Sequence, residues 1–512
     1  MRYLRIIRWG VATLSMLLTT IFFLDFANLV PPVFISSILS LQAGPAIIHV
    51  LGGSGTALIG VGIVLAATLL AGRIYCSHLC PLGTLQDIFI WTAKRNFKHR
   101  KFPYKTPHYA LHYGISLIII ATALCGSLFI LNFFEPFSSF GRILSNIVRP
   151  LFFLLNNAAA LILTKHQVFF LYEIPLKGLA VSVVAASIIF FAGLFWLSYY
   201  YGRFFCNTLC PVGGVLSLFS RFAIFRITIQ NEQCIDCGLC ERVCRARCID
   251  SKKRQIDFAA CVGCFDCLSS CPTVGMKYTY GKAKPPQQPP VDAGRRVVLA
   301  AASSGILMFV GMKQPSPSEN PTFEESRRTP VVAPGGRSIR RFTSRCTACH
   351  LCVSTCPTHV LQPSFFEFGI AGVMQPRMDY SVNYCNFDCT LCGQVCPTGA
   401  IQPILREEKK LLQIGKTHFV KEDCIVETKK TDCGACSEHC PTKAVRMVPY
   451  GKLFIPEVDN QYCVGCGACE HACPVTPRKA IFVQSNSVHG VAKKREETKL
   501  PSPVSTQQEF PF

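Results

Sequence analysis

Thirty cysteines in a chain of 512 residues set the chemistry to be explained, because thiols are nucleophiles, disulfide partners or soft metal ligands, and spacing decides which. Twenty-four of them fall into six quartets. Cys234, Cys237, Cys240 and Cys244 are followed by Cys261, Cys264, Cys267 and Cys271, both reading C-x2-C-x2-C-x3-C. Three closely spaced thiolates can cap three irons of one cubane, while the fourth, displaced by the start of a helix, reaches the neighbouring cluster. The expected sets are Cys234, Cys237, Cys240 with Cys271, and Cys261, Cys264, Cys267 with Cys244. Arg245 stands where a proline usually follows the fourth cysteine, and Cys248 is a spare, expected to pack as a small buried residue like Cys125.

The pattern returns in Cys346, Cys349, Cys352, Cys356; Cys385, Cys389, Cys392, Cys396; Cys424, Cys433, Cys436, Cys440; and Cys463, Cys466, Cys469, Cys473. The last cysteine of each precedes a proline (Pro357, Pro397, Pro441, Pro474). The middle two quartets stretch their first gap, which lengthens a loop and keeps the ligand number. Pairing neighbours gives Cys346, Cys349, Cys352 with Cys396; Cys385, Cys389, Cys392 with Cys356; Cys424, Cys433, Cys436 with Cys473; and Cys463, Cys466, Cys469 with Cys440. A nested pairing of first quartet with fourth stays open. Six [4Fe-4S] clusters are expected, with these cysteines as iron ligands. Zinc sites usually combine two short Cys/His pairs across a longer spacer, and disulfide scaffolds are normally short and secreted. Cys346-Thr347-Ala348-Cys349-His350 also matches the covalent haem signature, but Cys352 and Cys356 complete a cluster run from the same loop, so no haem is expected.

Four further cysteines sit in an internal repeat. Gly72-Arg73-Ile74-Tyr75-Cys76-Ser77-His78-Leu79-Cys80-Pro81-Leu82-Gly83 returns as Gly202-Arg203-Phe204-Phe205-Cys206-Asn207-Thr208-Leu209-Cys210-Pro211-Val212-Gly213. Cysteines four apart share a helical face, and the proline suits the first turn of a following helix whose N-terminal dipole favours a thiolate. Cys76, Cys80, Cys206 and Cys210 are the redox-active candidates. They bind a further cluster or metal, form a redox-active dithiol, or pack helix ends.

These sites need elements to hold them. Half the residues are apolar and the mean hydropathy is +0.32, yet the formal charge is +22, a mixture that fits membrane helices joined by basic loops. A nucleic-acid binder would be polar overall, so no nucleic-acid partner is expected. Apolar runs at 11–24, 47–72, 110–131 and 178–200 predict four spans, the first uncleaved. Leu151–Leu163 is short for a span and reads as a re-entrant or interfacial helix. Lys94, Arg95, Lys98, Arg100, Lys101 and Lys105 place the N-terminus and the 91–109 loop in the cytoplasm by the positive-inside rule, with 132–177 outside. Gly294-Arg295-Arg296 before Val297–Met312 resembles a twin-arginine signal inside the chain, and that run is a fifth span or a peripheral helix.

The predicted architecture is an α-helical membrane bundle with α+β bacterial 2[4Fe-4S] ferredoxin-like domains. Residues 1–227 form the membrane domain, 228–280 a cytoplasmic ferredoxin domain, and 281–340 a linker carrying the fifth span. Residues 341–485 form a four-cluster domain, and 486–512 a disordered tail.

On these motifs, residues 1 to about 280 resemble the NapH family, ferredoxin-type membrane proteins of periplasmic nitrate reductase systems. Residues from about 290 to 485 resemble the twin-arginine-exported NapG/MauM family. The resemblance implies quinol oxidation at the cytoplasmic (inner) membrane and passage of electrons through the clusters to a periplasmic or membrane redox enzyme or cytochrome. It implies the quinone pool as a partner and a periplasmic last domain. The copper-reductase assembly proteins share the C-x3-C-P motifs, so a metal-reducing or maturation factor is the alternative. Asp25, His49, His108, His112 and Glu135 are membrane-side candidates for proton handling; each lies near a predicted span end, where solvation or capping also explains it.

Overall fold

The computed structural model describes residues 2–25, 28–96, 102–105, 109–174, 176, 178, 180–280 and 329–495. The expected fifth span at 297–312, the twin-arginine motif and His108 lie outside the described residues.

The membrane part is a bundle of apolar helices. Helix α1 (Arg2–Leu24) is followed by α2 (Pro32–Leu39), α3 (Ala43–Leu51) and α4 (Gly55–Ala71), then by the short α5 (Tyr75–His78) and by α6 (Pro81–Asn96). Next come α7 (Tyr109–Leu124), α8 (Phe129–Phe134), α9 (Pro136–Ile143), α10 (Arg149–Lys165), α11 (Val181–Tyr201) and α12 (Pro211–Ser220). Among the described residues three helices are long and apolar enough to cross a membrane: Tyr3–Leu24, Pro136–Lys165 and Val181–Tyr201. The pair α2 and α3, bent by 95°, makes a fourth if counted as one broken span.

Two of the expected apolar runs hold shorter helices than their length predicts. The 47–72 run is cut at Gly52 and Gly53, the latter at φ 88°, and α4, 17 residues long, folds back beside α3. At about 1.5 Å per residue α4 reaches about 26 Å, near the lower limit for crossing a hydrocarbon core of about 30 Å. The 110–131 run ends as helix at Leu124 before Gly126 at φ 87°, which leaves Cys125 exposed at a helix end, not buried.

Leu151–Leu163 belongs to a longer helix than its apolar stretch predicts. It is the second half of one helical run, Pro136–Lys165, joined through a π-helical turn at Leu144–Val148. Its first half escapes a hydropathy reading because Ser138, Ser139, Arg142, Ser145 and Asn146 are polar. All five are buried, several of them against the last domain.

The first ferredoxin module begins slightly earlier than expected, with β1 (Phe225–Ile229) paired antiparallel to β4 (Met276–Tyr280) around the small ladder of β2 (Ile249–Asp250) and β3 (Gln255–Ile256). The last domain holds the hairpin-like pairs β5 (Leu361–Pro363) with β6 (Pro376–Met378), and β8 (Val445–Tyr450) with β9 (Leu453–Val458). Strand β7 (Leu412–Phe419) pairs with β10 (Ile481–Val491).

That last pair corrects both domain boundaries. Residues 486–491, assigned to a tail, continue β10, and Val488 bridges Ser338 while Ala492 N–H donates to Leu411 O at 2.7 Å. At the other end Val331, assigned to the linker, bridges Met378, and Val332 and Ala333 are buried. Neighbouring strands supply the missing partners for backbone groups, which a local reading cannot see.

The helices separate the two cluster-bearing parts. Helix α1 begins with Arg5 3.2 Å from Asp266 of the first module and ends with Phe23 on Gly141, itself against Cys349 O. Helix α4 starts where Arg345 donates to Gly52 O at 3.4 Å and ends where Gly72 meets Phe258. The chain enters α11 beside Gln362 and leaves it beside Arg245, whose carbonyl accepts from Arg203 N at 3.0 Å. The first module and the last domain therefore sit at opposite ends of the same bundle.

Candidate metal centres

The regular quartets share a backbone device. In each C-x2-C-x2-C run the residue before the second cysteine and the one after it are left-handed: Asp236 and Gly238, Gly263 and Phe265, Ala348 and His350, Gly465 and Gly467. Alternation of this kind turns successive N–H groups inward to form a concavity for an anion, and iron-sulfur sites use it. Glycine takes such φ values freely. His350, at φ 64°, is held there by its ring, with Nε2 2.7 Å from Met374 O and Nδ1 3.3 Å from Asn146 Nδ2. The C-x-x-C-H match is thereby explained, since that imidazole ties the first loop of the last domain to the bundle.

The structure gathers the thiols as follows. Cys244, Cys248, Cys261, Cys264 and Cys267 line a small cavity with Ile227, Val262 and Phe265. Another is lined by Cys424, Cys433, Cys436 and Cys473 with Phe419 and Ile425. Burial, then neighbouring thiolates, push up Cys352, Cys392 and Cys469; the neighbours are Cys346, Cys349 and Cys396 for the first, Cys356, Cys385 and Cys389 for the second, Cys440, Cys463 and Cys466 for the third. These groupings bring together cysteines of adjacent quartets. Near Cys240, pushed up to about 11 by burial, lie Cys234 and Cys237, and Thr273 beyond Cys271 donates to Gln233 O at 2.6 Å.

The donor set fits a cubane cluster. Cys264, Cys349 and Cys436 are each raised to about 12, first by burial, so these thiols ionise only against a strong positive charge such as bound iron. Among the described residues no three Cys, His, Asp or Glu side chains converge on a single ion; the quartets line cavities instead. When bound, a [4Fe-4S] cluster supplies one-electron redox chemistry.

Two features escaped the sequence reading. Four of the C-P prolines are followed by threonine, and Thr273, Thr358, Thr398 and Thr442 place Oγ1 3.7, 3.7, 3.6 and 3.7 Å from Cys271, Cys356, Cys396 and Cys440 Sγ. Hydrogen bonds to sulfur tune cluster potential, and the recurring C-P-T was the available signal. The second is the joint between the two halves of the last domain, where Cys385 N–H donates to Cys466 O at 3.0 Å and Tyr380 O–H to Gly465 O at 2.6 Å. No local pattern announces it.

The C-x3-C-P repeats meet with approximate two-fold symmetry. Pro81 and Pro211 open α6 and α12, and Cys210 Sγ accepts from Gly213 N–H at 3.3 Å. Arg203 donates to Cys76 O at 2.7 Å and Arg73 to Cys206 O at 2.9 Å, each arginine crossing to the other copy. A Cβ on Gly83 would strike Cys76 O, and one on Gly213 would strike Cys206 O, which explains the glycine in C-P-x-G. All four thiols are buried. Ser77 and Asn207, equivalent in the two copies, reach the first module by donating to Gly263 O at 3.3 Å and Ala260 O at 3.2 Å. From the same region Tyr75 O–H donates to Gln42 Oε1 at 3.0 Å, toward the other end of the bundle.

Arg245 also gains an explanation. It lies 3.2 Å from Asp87 and 2.6 Å from Asp266, and Arg8 and Arg203 share Asp87, so a buried ion cluster fastens the first module to the bundle. Cys248 is buried with Sγ 3.5 Å from Cys244 Sγ. Of the proton-handling candidates, Asp25 accepts from Leu29 and Val30 N–H at 3.0 and 2.8 Å, and Glu135 caps α9 by accepting from Phe137 N–H at 3.1 Å and from Ser138 N–H. His112 lies 3.2 Å from Cys210 O, and His49 faces Gly399.

Comparison with known proteins agrees with this geometry. A 4Fe-4S binding domain family matches residues 54–100, 183–230 and 392–414, the first two covering both C-x3-C-P repeats. Two 4Fe-4S dicluster families match 343–400 with 431–476, and 253–357. An uncharacterised protein of Methanocaldococcus jannaschii is 27% identical over 213 residues, 41% of this chain and 65% of that protein. The methylamine utilization ferredoxin-type protein MauN of Methylobacillus flagellatus is 30% identical over 192 residues, 37% of this chain and 54% of its own. The ferredoxin-type protein NapH of Escherichia coli is 25% identical over 224 residues, 42% of this chain and 65% of its own. The chain thus spans between about half and two thirds of these relatives. No solved structure matches. With repeated 4Fe-4S domains and apolar helices long enough to span a membrane, this chain is similar to the ferredoxin-type proteins NapH and MauN and carries 4Fe-4S binding domains.

Proposed function

We propose that the protein oxidises quinol in the cytoplasmic membrane and relays the electrons through six [4Fe-4S] clusters, held by the neighbour-paired cysteine sets, to a periplasmic redox partner. The observation that carries this reading is the placement of cysteine-lined cavities and loops at both ends of one apolar bundle. The loops nearest the bundle belong to the Cys261 and Cys346 quartets, touching it through Ser77 to Gly263 O and through Gly141 to Cys349 O. The Cys385 to Cys466 contact continues the line outward. The basic N-terminal end of α1 and the basic end of α6 support a cytoplasmic first module, with the last domain, NapG/MauM-like, on the periplasmic side.

In this reading the chain's own residues hold thiolates in place, exclude water from them and set hydrogen bonds to sulfur. Cys76, Cys80, Cys206 and Cys210 are redox-active candidates between the two parts. Substituting Cys76 and Cys206 by serine should leave the iron content unchanged and slow electron passage between the first module and the last domain, read by stopped-flow absorbance. Unchanged passage would assign those thiols to helix packing.

The test of the main reading is analysis of anaerobically purified protein, expected to hold on the order of 24 irons and 24 sulfides per chain, bleached by a short-chain quinol. Clusters that dithionite reduces but quinol does not would remove the quinol step. Reporter fusions after Tyr280 and Phe512 should report opposite sides of the membrane.

A further inference from the structure

We propose that the cleft between α10, the start of α11 and the Leu351–Thr355 helix is where the quinol headgroup binds. This rests on the quinol reading above and assigns it a place. The cleft is small and open on one side, with Phe153 and Val184 among its apolar walls and Asn146, Arg149, His359 and Gln362 among its polar ones. Mostly apolar walls with a few convergent polar groups suit a flat, hydrogen-bonding aromatic ring.

Arg149 is the second observation. Its residue is only 6% exposed, and one terminal nitrogen donates to Ser354 O at 2.8 Å, yet its Nε has no partner. A buried donor left unpaired is unfavourable, and a quinol oxygen would satisfy it. The π-helical turn at Leu144–Val148 lies just before it, where an extra residue in the turn re-aims the side chains that follow. Outside the cleft Leu151, Leu154, Leu155 and Val181 are exposed apolar side chains, so a lipid-soluble molecule has a way in from the side.

The wall opposite α10 fits a two-electron donor. The short helix Leu351–Thr355 contains Cys352 and is followed by Cys356, which belong to two different cysteine sets, while Val353 lines the cleft between them. Two O–H bonds of the quinol break, two electrons leave singly, one to each oxidised cluster, and two protons pass to water, leaving quinone.

The test uses the full-length, cluster-loaded protein in nanodiscs and a fluorescent hydroxyquinoline N-oxide as quinol analogue. Val184→Trp fills the cleft without removing a polar contact, and should weaken analogue binding at least tenfold with iron content unchanged. Gln362→Leu should weaken it too. Gly10→Trp, which fills a groove beside Arg5 and Trp9 at the other end of the bundle, should leave it unchanged. Normal binding to Val184→Trp, loss only in Gly10→Trp, or displacement of the analogue by phosphatidylglycerol and not by quinol would each overturn the assignment while quinol oxidation stood. Wild-type protein with intact clusters that neither binds the analogue nor is reduced by quinol would overturn both.

Discussion

Replacing Cys264 by alanine should remove one cluster, lower iron content by roughly one sixth and cut electron passage through the first module by at least tenfold. Cys264 lines the cavity shared with Cys244, Cys261 and Cys267, and its loop is the one that Ile74 and Ser77 of the bundle touch through Gly263. A relay has no spare route around its innermost member. Cys248 complicates the expectation usefully, because it sits beside Cys244 in the same cavity. Cys244→Ala should therefore retain more iron than Cys264→Ala, and the Cys244→Ala, Cys248→Ala double variant should lose that remainder. Iron analysis and low-temperature electron paramagnetic resonance of the reduced protein read both outcomes; equal iron loss in the two single variants would assign Cys248 to packing alone.

The second large effect concerns Asp87. Its side chain is fully buried on α6 and is shared by Arg8, Arg203 at 2.8 Å and Arg245 at 3.2 Å. Removing one partner of a buried ion cluster leaves charges without compensation and costs about 3–5 kcal/mol. Asp87→Asn leaves three buried guanidinium groups with Asp266 as the remaining carboxylate near them. The loss should appear as lower thermal stability and as faster proteolysis around residues 228–280, because Arg245 is the link between that module and α6. Replacing exposed Asp236, whose pair with Arg254 is at the surface, should change stability far less, because solvent screens that pair. Equal effects of the two substitutions would show that the buried cluster contributes little to docking.

Much of the site was legible because its determinants are local. A C-x2-C-x2-C-x3-C run spans barely a dozen residues, so spacing alone specifies which thiols can share a loop, and the backbone alternation at Gly263, Gly465 and Gly467 follows from residues inside the run. The C-P-T threonines were equally local and were legible without being read. The helices were less so. Apolar composition located α1 and α11, but the Pro136–Lys165 run carries Arg142 and Ser145, whose polarity is hidden by the last domain, so hydropathy stopped where the helix did not.

The amino-acid sequence by itself determined the ligand type, the loops that carry it, and the repeat that places Cys76 beside its counterpart Cys206. Only the tertiary structure decided that Arg245 meets Asp87, that His350 meets Asn146 some 204 positions away, and that the two cluster-bearing parts lie at opposite ends of one bundle. The physical reason is range. Ligand loops are selected by chain geometry over a few bonds, whereas burial of a charge or an amide can be balanced by any complementary group the fold delivers. Nothing in the neighbouring residues records which one that will be.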